Sequence, residues 1–199
     1  MKYIVILGDG WADYPDENGE TPLSLAKKPK IDAIAKMSVC GLTKTVPDGM
    51  KPGSDVANMA VMGYDPAVYY TGRSPLEAAS MGIELGADDV TYRCNLVSLG
   101  GKGAYDTLTM KDYSAGELDT ESAKKLIEEL NAAGIVPSGC ELHAGVSYRH
   151  CLVRRHGKTG AELTPPHDIS GKVISPYLPK GAYADELLAF QKNSMKVLA

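Results

Sequence analysis

The feature that most constrains this chain lies at its start. Tyr3-Ile4-Val5-Ile6-Leu7 is an unbroken apolar run that stops at Gly8-Asp9-Gly10. Strands buried on both faces, as in parallel sheets, have this texture, and open α/β sheets hold their ligands at the turn after such a strand. The turn is not a dinucleotide fingerprint, because Asp13 stands where the third glycine would fall. No G-K-[ST] follows to make a phosphate-binding loop either. Residues 41–46, closed by Pro47-Asp48-Gly49, are the only other convincing strand in the first 85 residues. Two strands are too few for an independent sheet. The pattern therefore predicts a first module that lacks part of its sheet.

Between and after these runs the periodicity is helical. Ile31, Ile34 and Ala35 share one side of a short helix ending near Met37. Residues 54–63 read as a helix with Val56, Met59 and Ala60 on its apolar face, and residues 75–83 as another with Pro75 at its first position. From about residue 89 the texture changes. Residues 90–99 and 104–110 flank Gly100-Gly101-Lys102-Gly103 and predict a hairpin. Asp119 or Thr120 can cap a helix carrying Ala123, Leu126, Ile127, Leu130 and Ala133, with Gly134 as its stop. Residues 141–155 read as one long strand or two in continuation, and residues 181–199 as a last helix. The organisation expected is residues 1–88 as one α/β module, 89–180 as a compact α+β module, and 181–199 as a helix returning to the first.

Composition narrows the function classes. With 21 basic and 25 acidic residues the net charge is −4, which offers no electrostatic footprint for nucleic acid. No apolar run approaches the length of a membrane span or a signal-peptide core, so a soluble, cytoplasmic protein is expected, with neither nucleic acid nor membrane as partner. Cys40, Cys94, Cys140 and Cys151 form no C-x-x-C pair and read as free buried thiols.

Several residues have both a structural and a chemical reading. Asp9 can bond the amides of its own turn, or act as a hard carboxylate ligand for a divalent cation. Ser54 can cap its helix, or serve as a nucleophile where the positive helix end favours an alkoxide and a phosphate. Arg73, in Tyr70-Thr71-Gly72-Arg73, can form a surface ion pair or grip phosphate. Strand alternation puts His143, Gly145, Ser147, Arg149, Cys151 and Val153 on one small, polar face, from which Arg149 could reach an anion. His150, among apolar neighbours on the other face, reads as a core histidine. His167-Asp168 follows Pro165-Pro166 in a constrained loop, as a local contact or a ligand clamp.

Taken in order, these words resemble a family. Leu7-Gly8-Asp9-Gly10, Pro52-Gly53-Ser54-Asp55-Val56-Ala57-Asn58, Gly63-Tyr64-Asp65-Pro66 and Tyr69-Tyr70-Thr71-Gly72-Arg73-Ser74-Pro75-Leu76-Glu77-Ala78 are similar to segments of the archaeal-type, cofactor-independent phosphoglycerate mutases. Arg93-Cys94-Asn95-Leu96-Val97, Gly145-Val146-Ser147-Tyr148-Arg149-His150 and Thr164-Pro165-Pro166-His167-Asp168-Ile169 continue the likeness along the chain. The resemblance implies part of an alkaline-phosphatase-like α/β/α domain with an inserted α+β substrate domain. It implies a mutase that moves phosphate between the two hydroxyls of phosphoglycerate without 2,3-bisphosphoglycerate. Ser54 would carry a phosphoserine, and Asp9 and Ser54 would bind two divalent cations, manganese or else magnesium, zinc or cobalt. Arg73, Asn58, Arg149, His167 and Asp168 would hold the substrate.

Members of that family are longer, and their remaining Asp and His metal ligands lie in a C-terminal half. The expectation is therefore an N-terminal part whose partner is the missing half, inactive or weakly active alone. Two other readings are a related metal-dependent phosphotransferase or phosphatase, some relatives being labelled a proposed homoserine kinase, and a non-catalytic module that only binds a phosphate ligand. The kinase would need a nucleotide site, for which the sequence offers no loop.

Overall fold

The computed structural model describes residues 2–8 and 10–199. Helices dominate the first part: α1 (Pro22–Leu25), α2 (Pro29–Met37), α3 (Ser54–Val61), α4 (Pro66–Tyr69) and α5 (Arg73–Ser80). The rest alternates, with β1 (Val90–Asn95), β2 (Ser98–Gly100), β3 (Thr109–Asp112), α6 (Thr120–Ala132), β4 (Cys140–His143), β5 (Arg149–Arg154), β6 (Ala161–Glu162), β7 (Lys180–Gly181) and α7 (Ala184–Val197). The architecture is mixed α/β.

The main sheet has the order β1-β5-β4 and is antiparallel throughout. β5 is its centre, and from His150 to Arg154 every residue is buried. Its alternation sorts the two faces. On one, Leu152 meets Tyr92 of β1 and Leu142 of β4, and Ile127, Leu130, Leu187 and Phe190 complete the cluster. α6 covers that face because Ala123, Ile127 and Leu130 recur at helical spacing, while the Asp119 carboxylate accepts the Ser122 N–H at 2.9 Å and caps its start. Burying a side chain such as Leu152 contributes about 2 kcal/mol. On the other face, Cys151 and Val153 pack under Ala78 of α5, a residue small enough to let the helix approach the sheet closely. Arg154 ties α7 to the sheet: its guanidinium donates to Glu186 at 2.6 Å and to the Ser138 carbonyl at 3.3 Å, and it lies over the Tyr183 ring.

Three expectations need correction. Residues 2–8 and 41–46 form no strand; Ile4 is 87% exposed and Leu42 fully so. A strand is held by neighbours on its edges, and every described strand comes from residues 90–181 and pairs within that region. The run at 90–99 does not fold as one arm of a hairpin. Its first six residues pair with β5, the chain breaks at Leu96 (its N–H bonds to the Tyr148 carbonyl at 2.9 Å), and only residues 98–100 pair with β3. Residues 141–155 are two antiparallel strands, not strands in continuation. Cys140 faces Arg154 and His143 faces Cys151 across a reversal in which Ser147 takes a φ of 54°. His143 thus still shares a face with Cys151, while Gly145 and Ser147 leave the sheet.

Smaller shifts follow from turn chemistry. Gly53, not Ser54, caps α3. α5 starts at Arg73, because Gly72 with φ 133° turns the chain, and Pro75 at the third helical position has no N–H to satisfy. The cysteines are free, but only Cys151 is fully buried and Cys40 is exposed. Among the described residues no helix is long and apolar enough to cross a membrane.

His150 is a core histidine. It is 2% exposed, and its Nδ1 accepts the Gly145 N–H at 3.1 Å. Burial pulls its pKa down from 6.5 to about 4, so the folded chain keeps it neutral while the unfolded chain binds a proton. Its contribution is whole above pH 6.5 and is lost as the pH falls towards about 4, by about 3 kcal/mol. His150→Asn, which keeps an acceptor for Gly145, should flatten that fall. Urea unfolding near pH 7 and near pH 4 is the measurement, and equal losses in both proteins would contradict the assignment.

Candidate anion-binding site

The face of the sheet under α5 carries the charge. Alternation along β1 puts Arg93 and Asn95 on that face, and alternation along β5 puts Arg149 there, with Asn95 directly opposite Arg149. α5 adds Arg73 and, one turn on, Glu77. The Glu77 carboxylate bridges the two elements: one oxygen accepts from Arg73 Nε at 2.9 Å and the other from Arg93 Nε at 2.9 Å. Among the described residues the terminal nitrogens of both arginines have no protein partner, and Arg149 makes no ion pair.

Aromatic groups close the side. Tyr113 meets Tyr148 edge-on at 6.0 Å and His167 at 6.2 Å, and the Arg149 guanidinium lies 5.4 Å from the Tyr148 ring centre. Arg73, Arg93, Asn95, Tyr113, Tyr148, Arg149 and His167 line one pocket of about 240 Å³. Three guanidinium groups and one carboxylate leave it cationic. Asn95 also lines the pocket, and its buried Oδ1 has no hydrogen-bond partner among the described residues. The turn before β5 is held where it starts this wall: the left-handed Ser147 donates its N–H to Thr120 Oγ1 at 3.1 Å and its hydroxyl to the Leu118 carbonyl at 2.7 Å.

The other sequence candidates stand elsewhere. Ser54 is the first residue of α3, is exposed, and makes no side-chain hydrogen bond among the described residues. Its neighbour Asp55 accepts a hydrogen bond from Tyr70, three residues before Arg73, which ties the start of α3 to the segment leading into α5. Burial raises the Asp55 pKa, but the Tyr70 hydroxyl and the Val56 N–H outweigh it and hold the carboxyl below its usual range. The same burial and hydrogen bond push the Tyr70 hydroxyl up to about 12. Asn58 is exposed on α3. Asp168 lies beside the pocket, 3.4 Å from His167, but does not line it. Asp9 lies outside the described residues.

Residue-by-residue reasoning passed over Arg93, Asn95, Tyr113 and Tyr148. The period-two pattern of residues 90–95 would have found the first two, since it puts them on one face. Nothing local announces the tyrosines, which arrive from a loop after β3 and from the β4–β5 reversal. A larger cavity of about 600 Å³ lies near α7 between two apolar clusters, walled mostly by aliphatic and aromatic side chains, and it lacks such convergent charge.

The family described as 2,3-bisphosphoglycerate-independent phosphoglycerate mutase matches residues 35–199. A protein of Methanosarcina barkeri with that name is 50% identical over 202 residues, covering all of this chain and 49% of its own length. One from Methanothrix thermoacetophila is 48% identical over 200 residues, again along the whole chain and over 48% of itself. The cofactor-independent phosphoglycerate mutase of Thermoplasma acidophilum aligns in structure with a TM-score of 0.50, over 95% of this chain and 50% of that one. At 22% identity that likeness is one of fold. The chain spans about half the length of the curated relatives it matches. With the family matched over more than four-fifths of the sequence and relatives about half identical along the whole of this chain, it belongs to the 2,3-bisphosphoglycerate-independent phosphoglycerate mutases.

Proposed function

We propose that this chain is the substrate-holding part of a cytoplasmic mutase that interconverts 3-phosphoglycerate and 2-phosphoglycerate through a phosphoserine on Ser54. One observation carries the reading: three arginines from α5, β1 and β5 meet in one small pocket with their terminal nitrogens unengaged among the described residues. A phosphate monoester brings a charge of about −1.5 to −2, and the carboxylate of glycerate adds another. Bidentate arginine contacts suit both groups, and the Asn95 amide offers a bond to a hydroxyl. Ser54 Oγ would attack phosphorus as the bond to the glycerate oxygen breaks and the serine proton passes to that oxygen. The pocket would retain the glycerate while its other hydroxyl turns to take the phosphate back, releasing the serine. Ser54 stands at the positive end of α3, where developing negative charge is favoured.

The implied cation pair does not fit the described residues by themselves. Among them no three His, Cys, Asp or Glu side chains stand close enough together to hold a metal ion. This chain would contribute Asp9 and Ser54 at most, with further ligands coming from the length that the relatives have and this chain does not. The exposed apolar runs at residues 3–7 and 39–42 have the same explanation in this reading. Unpaired here, they would become strands of an alkaline-phosphatase-like sheet only beside neighbours from that other half, and residues 89–180 would be the inserted substrate domain.

The test is a coupled assay of 3-phosphoglycerate conversion with manganese and without 2,3-bisphosphoglycerate. The chain is measured alone and with the half of the Methanosarcina barkeri relative that it does not span. Turnover is expected only in the combination. Ser54→Ala should abolish it with the fold retained, and Arg149→Ala should raise the KM by about tenfold or more. Undiminished turnover in Ser54→Ala would remove the phosphoserine.

A further inference from the structure

We infer that Glu77 is the positioning residue of the arginine pocket: it fixes the guanidinium groups of Arg73 and Arg93 by their Nε atoms so that their terminal edges are presented to the substrate. The inference rests on the reading of the pocket as the phosphoglycerate site.

Geometry argues for this role. Arginine side chains are long and lose several rotatable bonds when held in one place. Arg73 is exposed and on a helix; Arg93 is half-buried and on a strand. Neither has another side-chain partner among the described residues, so the two bonds from Glu77 are what set their orientation. Each bond, at 2.9 Å, uses Nε only. The edge formed by the two terminal nitrogens therefore stays open for a bidentate contact with an oxyanion. Glu77 is 27% exposed, at the same level as Arg93, and Ala78 beside it is fully buried against Cys151 and Val153. The carboxylate thus sits on a part of α5 that packing holds rigid, and neighbouring guanidinium charges that would repel one another are bridged.

Electrostatics alone predicts the opposite outcome, which makes the role testable. Glu77 is the carboxylate that pairs directly with two of the pocket's arginines. Removing it makes the pocket more positive, so a purely coulombic site would bind anions more tightly in Glu77→Ala. A positioning role predicts weaker binding despite the added positive charge, by about tenfold.

Glu77→Asp separates charge from reach, because it keeps the carboxylate and shortens the side chain by one methylene. Glu77→Gln keeps the length and one acceptor oxygen. Calorimetric titration with 3-phosphoglycerate, with inorganic phosphate as the smaller probe, is run on the chain and on all three variants, and thermal unfolding checks that each folds. The expected result is that Ala and Asp both lose affinity, that Gln retains more than either, and that the loss is greater for 3-phosphoglycerate than for phosphate. The last readout would not move if Glu77 only fastened α5 to β1. Equal or tighter binding by folded Glu77→Ala, or wild-type affinity in Glu77→Asp, would overturn the positioning role and leave the phosphoglycerate site standing. A wild-type chain that binds neither 3-phosphoglycerate nor phosphate would overturn both.

Discussion

Strand β5 is the constraint on which the described structure depends. It lies between β1 and β4, and its alternating side chains serve two purposes. Leu152 enters an apolar core closed by α6 and α7, while Arg149, Cys151 and Val153 look toward α5. A strand buried on both faces tolerates no slip, because moving its register by one residue would turn Arg149 into the core and Leu152 into the pocket. The same alternation that stabilises the sheet thereby gathers the charge. Arg93 and Asn95 are on the pocket side because Tyr92 and Cys94 are needed on the other.

The pocket is accordingly a product of packing and of polar pairing together. α5 comes near enough to share Glu77 with β1 because Ala78 adds no bulk at the contact. The left-handed Ser147, anchored to the start of α6, sets where the chain re-enters the sheet and so where Tyr148 and Arg149 begin the wall. Segments some seventy residues apart thus converge on a few side chains. A small cationic pocket of this construction suits a small, highly charged anion.

The N-terminal stretch obeys the opposite logic. No described residue before Val56 is buried, although residues 3–7 are among the most apolar in the chain. Hydrophobic runs of that length are strands only in company: their backbone groups need edges to bond to and their side chains need two covering layers. The conditions for helix formation are more local, which is why α2 and α3 are present in the same region without burying much.

Local signals in the sequence found α2, α3, α5, α6 and α7, with ends displaced by a few residues, but not the short helices α1 and α4. The spacing of Ala123, Ile127 and Leu130, a cap at Asp119 or Thr120 and the stop at Gly134 placed α6 without help from the rest of the molecule, because capping and amphipathic spacing act within a few turns. The burial of His150 was readable from its apolar neighbours for the same reason. Which runs would pair was not readable. Residues 90–99 look like one hairpin arm until β5 offers the first six a longer partner, and residues 141–155 look continuous until a reversal at Ser147 doubles them back. The words around Arg73, Arg149 and His167 marked those residues singly. Tertiary structure decided that they share a pocket with Arg93, Asn95 and two tyrosines, and that Glu77 joins the arginines, because pairing energy depends on partners distant in the chain that no local pattern specifies.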